Sequence, residues 1–124
     1  MAIAQIEHAN LTVTDPARSA AFFEKLCGWK IRWKGPSMMG GETIHVGSDA
    51  SYLALYTNDQ ATGNFGKGQP LNHVGIQVDD LDAAEAIVLA AGLKTFSHSD
   101  YDPGPKSFYF FDWDGIEFEG VSYE

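Results

Sequence analysis

Two stretches of the chain alternate apolar and polar side chains with a period of two. Val74, Ile76 and Val78 alternate with His73, Gly75 and Gln77, and Ala9, Leu11 and Val13 alternate with His8, Asn10 and Thr12. This is the pattern of a strand with one face against a core, so His8 and His73 are expected on the face turned away from it. Each stretch runs into an Asp and an Ala-rich segment. Asp15-Pro16 supplies an N-cap with Pro at the first helical position, and Gly28 stands where a helix from Pro16 to Cys27 would end. Asp80 and Gly92 bracket Leu81 to Ala91 in the same way. After the first helix, strands are predicted over Trp29 to Lys34, Glu42 to Val46 and Tyr52 to Thr57, punctuated by Gly35-Pro36, Gly40-Gly41 and Gly47-Ser48-Asp49. After the second, they are predicted over Leu93 to Ser97, Ser107 to Asp112 and Ile116 to Ser122.

The order strand, helix, three strands therefore occurs twice, and the sequence repeats with it. Residues 6–15 align without a gap on residues 71–80, placing His8 on His73, Val13 on Val78 and Asp15 on Asp80. An internal repeat of this kind governs the fold. The expected architecture is α+β, a single domain of two βαβββ modules forming a curved mixed sheet around a cleft. Module 1 is placed at residues 4–57 and module 2 at 71–124. The polar, Gly-bearing segment 58–70 between them reads as a linker.

Composition narrows the function. The 124 residues are 44% hydrophobic, enough for one domain of ordinary size. Eight Lys and Arg against 17 Asp and Glu give a net charge of −9, which argues against nucleic acid and against an anionic membrane surface as partners. A small molecule suits it better. The N-terminal segment has neither the basic region nor the apolar stretch of a secretion signal, and Cys27 is the single cysteine, so a cytoplasmic protein without an intrachain disulfide is expected. Cys27 itself reads as a buried hydrophobe.

A doubled βαβββ unit, a His in the first strand of each half and the closing run Phe108 to Glu119, with Asp112-Trp113-Asp114-Gly115 followed by Glu119, resemble the vicinal oxygen chelate superfamily. Glyoxalase I, fosfomycin resistance transferases, extradiol dioxygenases, methylmalonyl-CoA epimerase and bleomycin resistance proteins belong to it. The resemblance implies a metal site whose first-strand ligands fall on His8 and His73 and whose last-strand ligand falls on Glu119. The fourth position falls on Ala54, which counts against glyoxalase I and epimerase activity. Two imidazoles and a carboxylate leave open coordination positions suited to a divalent Mn, Fe, Ni or Zn ion. A substrate chelating that ion would meet a Lewis acid.

The function implied first is a metal-dependent glyoxalase-family lyase, isomerase or transferase acting on a small oxygenated molecule. Tyr109 is the expected substrate contact, in a segment similar to that of the fosfomycin transferases. Their anionic substrate suits this chain poorly, with only Lys106 as a base in the loop 98–106. A small extradiol-type dioxygenase is a further alternative, since Tyr109 precedes Glu119 by ten residues and His98 lies upstream. The runner-up to the enzyme is a metal-free, bleomycin-resistance-like binding protein that takes up a cationic aromatic drug among Trp29, Trp33, Tyr52, Tyr56, Phe65, Tyr101 and Trp113. His45, in phase with Thr43, is either a substrate contact or general base in the cleft or a polar residue on a solvated face. Met38-Met39 reads either as an apolar rim over a pocket or as ordinary loop packing, and Glu117 and Asp114 read as surface carboxylates. A homodimer is expected because each module leaves sheet edges to cover, and the cleft then forms either within one chain or across the dimer.

Overall fold

The computed structural model of the chain describes residues 3–38, 40–63, 68, 70–101 and 103–123. They fall into two compact units, residues 1–62 and 63–124. In unit 1, strand β1 (His8–Thr12) leads into helix α1 (Pro16–Cys27), followed by β2 (Lys30–Pro36), β3 (Glu42–Gly47) and β4 (Tyr52–Thr57). The sheet order is β1-β4-β3-β2, with β1 parallel to β4 and the other pairs antiparallel. Unit 2 repeats the plan with β5 (Val74–Gln77), α2 (Leu81–Ala90), β6 (Thr95–Asp100), β7 (Lys106–Phe111) and β8 (Glu117–Ser122), in the order β5-β8-β7-β6. The fold is thus α+β, built from two βαβββ modules.

The helices begin and end where the capping residues predict. The Asp15 carboxylate accepts from Arg18 N at 3.1 Å, and Gly28 closes α1 in the left-handed conformation at φ 68°. Asp80 caps α2 through Ala83 N at 3.0 Å, and Gly92 follows its end at φ 86°. Each helix covers one face of its sheet. On the α1 side Leu11, Val46, Leu53 and Leu55 of the sheet are buried, as are Ala20, Phe23 and Leu26 of the helix. On the α2 side Ile76, Phe108, Phe110 and Phe118 are buried, as are Ala84 and Val88 of the helix, with Phe110 and Phe118 stacked at 5.4 Å. Burying each such large apolar side chain stabilises the fold by roughly 1.5–3 kcal/mol.

Two strands run differently from the sequence prediction. Strand β2 continues through Gly35-Pro36, where Pro36 pairs with Glu42. It is an edge strand, so the missing N–H of Pro36 costs no ladder bond, and Gly35 leaves room for the Trp33 ring, which a Cβ would meet at 2.8 Å. Strand β6 begins at Thr95 rather than Leu93 and reaches Asp100, carrying a bulge between Phe96 and Ser99 with Ser97 at φ 53°. Residues 64–67 and 69 of the expected linker lie outside the described residues. Among the described residues no helix is long and apolar enough to cross a membrane.

Candidate functional site

The sheet face turned away from each helix carries the candidate residues, and strand register decides which of them are neighbours. In unit 1, Asn10 pairs with Ala54 and Ala54 with His45, which pairs with Trp33. In unit 2, Gly75 pairs with Glu119 and Glu119 with Tyr109, which pairs with Phe96. The same ladder positions therefore hold Ala54 and Glu119, His45 and Tyr109, Trp33 and Phe96. The alternation along β3 puts His45 on the face opposite Val46, away from α1. It thus shares the face that carries His8.

In unit 2 this face gathers ionisable groups. His73 Nε2 lies 3.3 Å from Glu119 Oε1, and His73 Nδ1 lies 3.8 Å from Glu117 Oε2. Its Nδ1 also meets Asn72 Oδ1 at 2.8 Å. The Tyr109 ring stands edge-on to His73 at 5.4 Å between centroids. Burial, then the charge of Glu119 and its hydrogen bond, push the Tyr109 phenol above its ordinary value, so it stays a neutral donor. Phe96 stacks on Phe111 at 5.2 Å and on Tyr109 at 6.1 Å, walling the far side.

In unit 1 the equivalent face is a row of rings. Trp33 meets His45 at 5.1 Å, His45 stacks on Tyr52 at 4.5 Å, and Tyr52 stacks on His8 at 4.9 Å. The Arg32 guanidinium lies 4.3 Å from the Tyr52 ring, and Glu7 Oε1 meets His8 Nδ1 at 2.9 Å. Burial, then the neighbouring His8 and Arg32, hold His45 below the ordinary imidazole value, so His45 is neutral at pH 7. Tyr52 is packed among His8, His45 and Arg32, whereas Trp33 remains 47% exposed. Tyr56 donates to Gly40 O at 3.2 Å and accepts from Asn58.

Several sequence-predicted positions fall elsewhere. Glu117 and Asp114 are buried, at 3% and 0% exposure, and are not surface carboxylates. Both sit at the β7–β8 connection, where the Asp112 carboxylate accepts from Asp114 N and Ile116 N and draws the turn inward. Trp29 is half-buried and packs against Phe23 of α1 at 5.9 Å, on the helix side of the sheet. The extra residue in the β6 bulge turns His98 to the α2 side, where its Nε2 meets Glu85 Oε2 at 2.6 Å. Lys106 is out of phase with Tyr109 along β7 and lines a hollow at the start of α2 with Asp79, Asp80 and Asp82. Neither His98 nor Lys106 is on the face of His73 and Glu119. Tyr101, just past β6, is 60% exposed, and Trp113 is half-buried in the β7–β8 turn. Met38 is exposed, while Met39 and Phe65 lie outside the described residues. Burial lifts the Cys27 thiol to about 12, so it is an inert thiol. Sequence reasoning missed Asn72, Glu7 and Arg32. Their shared signal, adjacency to a predicted site strand, was too common to single them out.

Comparison with known structures finds the same fold. The crystal structure of a glyoxylase/bleomycin resistance protein/dioxygenase domain from Frankia sp. EAN1pec superposes with a TM-score of 0.82 at 22% identity, covering 98% of each chain. The fosfomycin resistance protein FosX from Listeria monocytogenes, complexed with Mn(II) and sulfate, gives 0.75 at 18% identity over 98% of this chain and 93% of that one. A V278E glyoxalase I mutant from Zea mays gives 0.77 at 24% identity over 94% of this chain and 45% of that one. A search of curated proteins found no match. The family model for the glyoxalase/bleomycin resistance protein/dioxygenase superfamily matches residues 5–119, from before His8 through Glu119, and the chain belongs to that superfamily.

Proposed function

We propose that this chain is a metal-dependent enzyme of the vicinal oxygen chelate type, a lyase, isomerase or transferase acting on a small oxygenated molecule. The observation that carries the reading is the approach of His73 Nε2 to Glu119 Oε1, 3.3 Å, on the face of unit 2 turned away from α2. An imidazole nitrogen and a carboxylate oxygen set side by side fit a first-row divalent ion such as Mn, Fe, Ni or Zn. The proposed third ligand is His8, on its equivalent position in the repeat. Such an ion, when bound, supplies a Lewis acid for adjacent substrate oxygens. Tyr109, held neutral, donates a hydrogen bond to a substrate oxygen. His45, also neutral, accepts a proton. Trp33 and Tyr56 are the proposed substrate-contacting surface, with Tyr52 bracing His8 and His45. Ala54 at the position equivalent to Glu119 leaves the donor set at two imidazoles and one carboxylate. We further propose a cytoplasmic homodimer that covers the sheet edges.

One observation favours a second reading, a metal-free protein that binds a cationic aromatic molecule: Trp33 is 47% exposed at the end of a ring row in a chain of net charge −9. Elemental analysis and calorimetric titration with Mn(II), Fe(II), Ni(II) and Zn(II) separate the two. The enzyme reading expects close to one ion per chain in the wild type and none in His73→Ala or Glu119→Ala. Absence of binding by the wild type sinks it and directs the search to cationic aromatic ligands.

A further inference from the structure

Strand β2 shifts register between Ile31, which pairs with Val46, and Trp33, which pairs with His45, so Arg32 is an extra residue without a partner of its own on β3. A bulge of this kind lets two consecutive side chains share a face that strict alternation would divide. Both reach the row of rings. The Arg32 guanidinium lies 4.3 Å from the Tyr52 ring, and the Trp33 indole lies 5.1 Å from His45, which stacks on Tyr52 at 4.5 Å. The other cations of the strand are disposed differently. Lys30 pairs with Asp49 at 2.8 Å, and Lys34, opposite Ile44, is out of phase with Trp33. Arg32 donates to the Ser48 carbonyl at 3.1 Å, a neutral acceptor, and among the described residues no carboxylate, Asp49 included, lies within ion-pair distance of it. That bond uses one of several N–H donors of a guanidinium. The indole lies against Gly35, where a Cβ would come within 2.8 Å of it, and is still 47% exposed.

We propose that Arg32 and Trp33 form a binding subsite for a small planar carboxylate, aromatic or conjugated, with its carboxylate on the guanidinium and its flat part against the indole. The inference deepens the enzyme reading above, on which it rests, by naming the class of oxygenated molecule. A guanidinium laid over a ring still offers its N–H edge, and that edge matches the two oxygens of a carboxylate. An indole takes a conjugated plane by offset stacking. His45 contacts both Tyr52 and Trp33, so a molecule spanning the two ends of the subsite crosses the imidazole. The net charge of −9 does not exclude an anion here, because exposed charges more than about 10 Å apart are largely screened at about 0.1 M salt and the local cation decides. An Arg32 that only braced the turn at Ser48 would leave the choice of ligand untouched.

The test uses probes of one shape and different charge, 2-naphthoate, 2-naphthamide and 2-naphthylmethylammonium. Each is titrated into the EDTA-treated full chain, where no metal ion can take the carboxylate, and the Trp33 indole N–H and Arg32 Nε–H are followed by 1H–15N NMR. The wild type is expected to bind 2-naphthoate roughly three- to tenfold more tightly than the amide, and the ammonium most weakly. Arg32→Gln is expected to lose the preference for 2-naphthoate over the amide, whereas Trp33→Ala weakens both. Gly35→Ala, which displaces the indole and keeps Arg32, is expected to weaken both as well. Thermal melts confirm that each variant folds. Wild type that binds 2-naphthoate no better than the amide overturns the proposal, as do a preference for the ammonium and a 2-naphthoate preference that survives in folded Arg32→Gln. A separate Mn(II) titration keeps the two readings apart. Mn(II) binding without a carboxylate preference refutes the subsite and leaves the enzyme reading standing, while a carboxylate preference without Mn(II) binding establishes the subsite and refutes that reading.

Discussion

At the scale of single residues, the unlike use of equivalent positions gives the two modules their character. Tyr52 and Glu117 occupy one ladder position, beside His8 and next to His73, and there one module places a ring and the other a buried carboxylate. Glu117 and Glu119 share a face by strand alternation, so sequence alone gives them equal exposure, yet Glu117 is 3% exposed and Glu119 is the more open. Depth below the surface is a property of what packs around a strand end, and alternation carries no information about it. A second residue-scale consequence concerns Ser19 in α1. Its hydroxyl is buried against the sheet and, among the described residues, has no hydrogen-bond partner. Desolvating a hydroxyl without a compensating bond costs about 1–3 kcal/mol. Ser19→Ala is therefore expected to raise stability by about 1 kcal/mol, read as a higher urea midpoint with an unchanged slope.

At the scale of elements, the helices were legible to the residue at their N-termini because capping is local chemistry, whereas the strand irregularities were not. The bulge in β6 depends on how β7 pairs across Phe96 and Ser99, which no window of the sequence encodes. It brings Thr95 and His98 onto Glu85 of α2. The hydrogen bond from Thr95, then that from His98, hold the Glu85 carboxyl below its ordinary value. A carboxylate whose folded value is depressed contributes stability that is complete above its unfolded value and is lost as pH falls through the folded one. Wild type and Glu85→Gln are thus expected to differ most near neutral pH and to converge in acid, as followed by denaturant midpoints across that range. Close packing in the same module gives another element-scale outcome. A Cβ on Gly120 of β8 would lie 2.9 Å from the ring of Phe108, itself 1% exposed. Gly120→Ala is expected to cost about 1–3 kcal/mol through overpacking. Gly75→Ala, whose Cβ would have no neighbour nearer than Glu119 Oε1 at 3.9 Å, is the control expected to fold normally.

At the scale of the whole molecule, ligand binding and folding are linked. If His73 and Glu119 take part in holding a divalent ion, that ion stabilises the folded chain by mass action, about 2.7 kcal/mol at a hundredfold excess over Kd. Mn(II) is accordingly expected to raise the melting temperature of the wild type, a chelator to return it, and neither to affect His73→Ala. Sedimentation is expected to give twice the 13.5 kDa chain mass, the proposed dimer. The acidic balance, 17 carboxylates to eight Lys and Arg, belongs to this scale as well. It is a statement about partners and solubility, and it leaves the fold unconstrained.

The doubled βαβββ plan, the helix limits at Asp15, Gly28, Asp80 and Gly92, the outward faces of His8, His73 and His45, and the equivalence of Ala54 with Glu119 are all legible in the chain before it folds. All of these follow from periodicity, capping and repetition, which act over a few residues or compare one stretch with another. Folding adds that Glu117 and Asp114 are buried, that His98 is bound to Glu85, that Trp33, His45, Tyr52 and His8 form one row of rings, and that Asn72 and Glu7 lie within hydrogen-bond distance of the histidines beside them. Each of these depends on strand register, on a bulge or on a side-chain rotamer. Such features are settled by packing between segments distant in the chain, where hydrophobic pattern fixes only which face a residue shares and not what it touches.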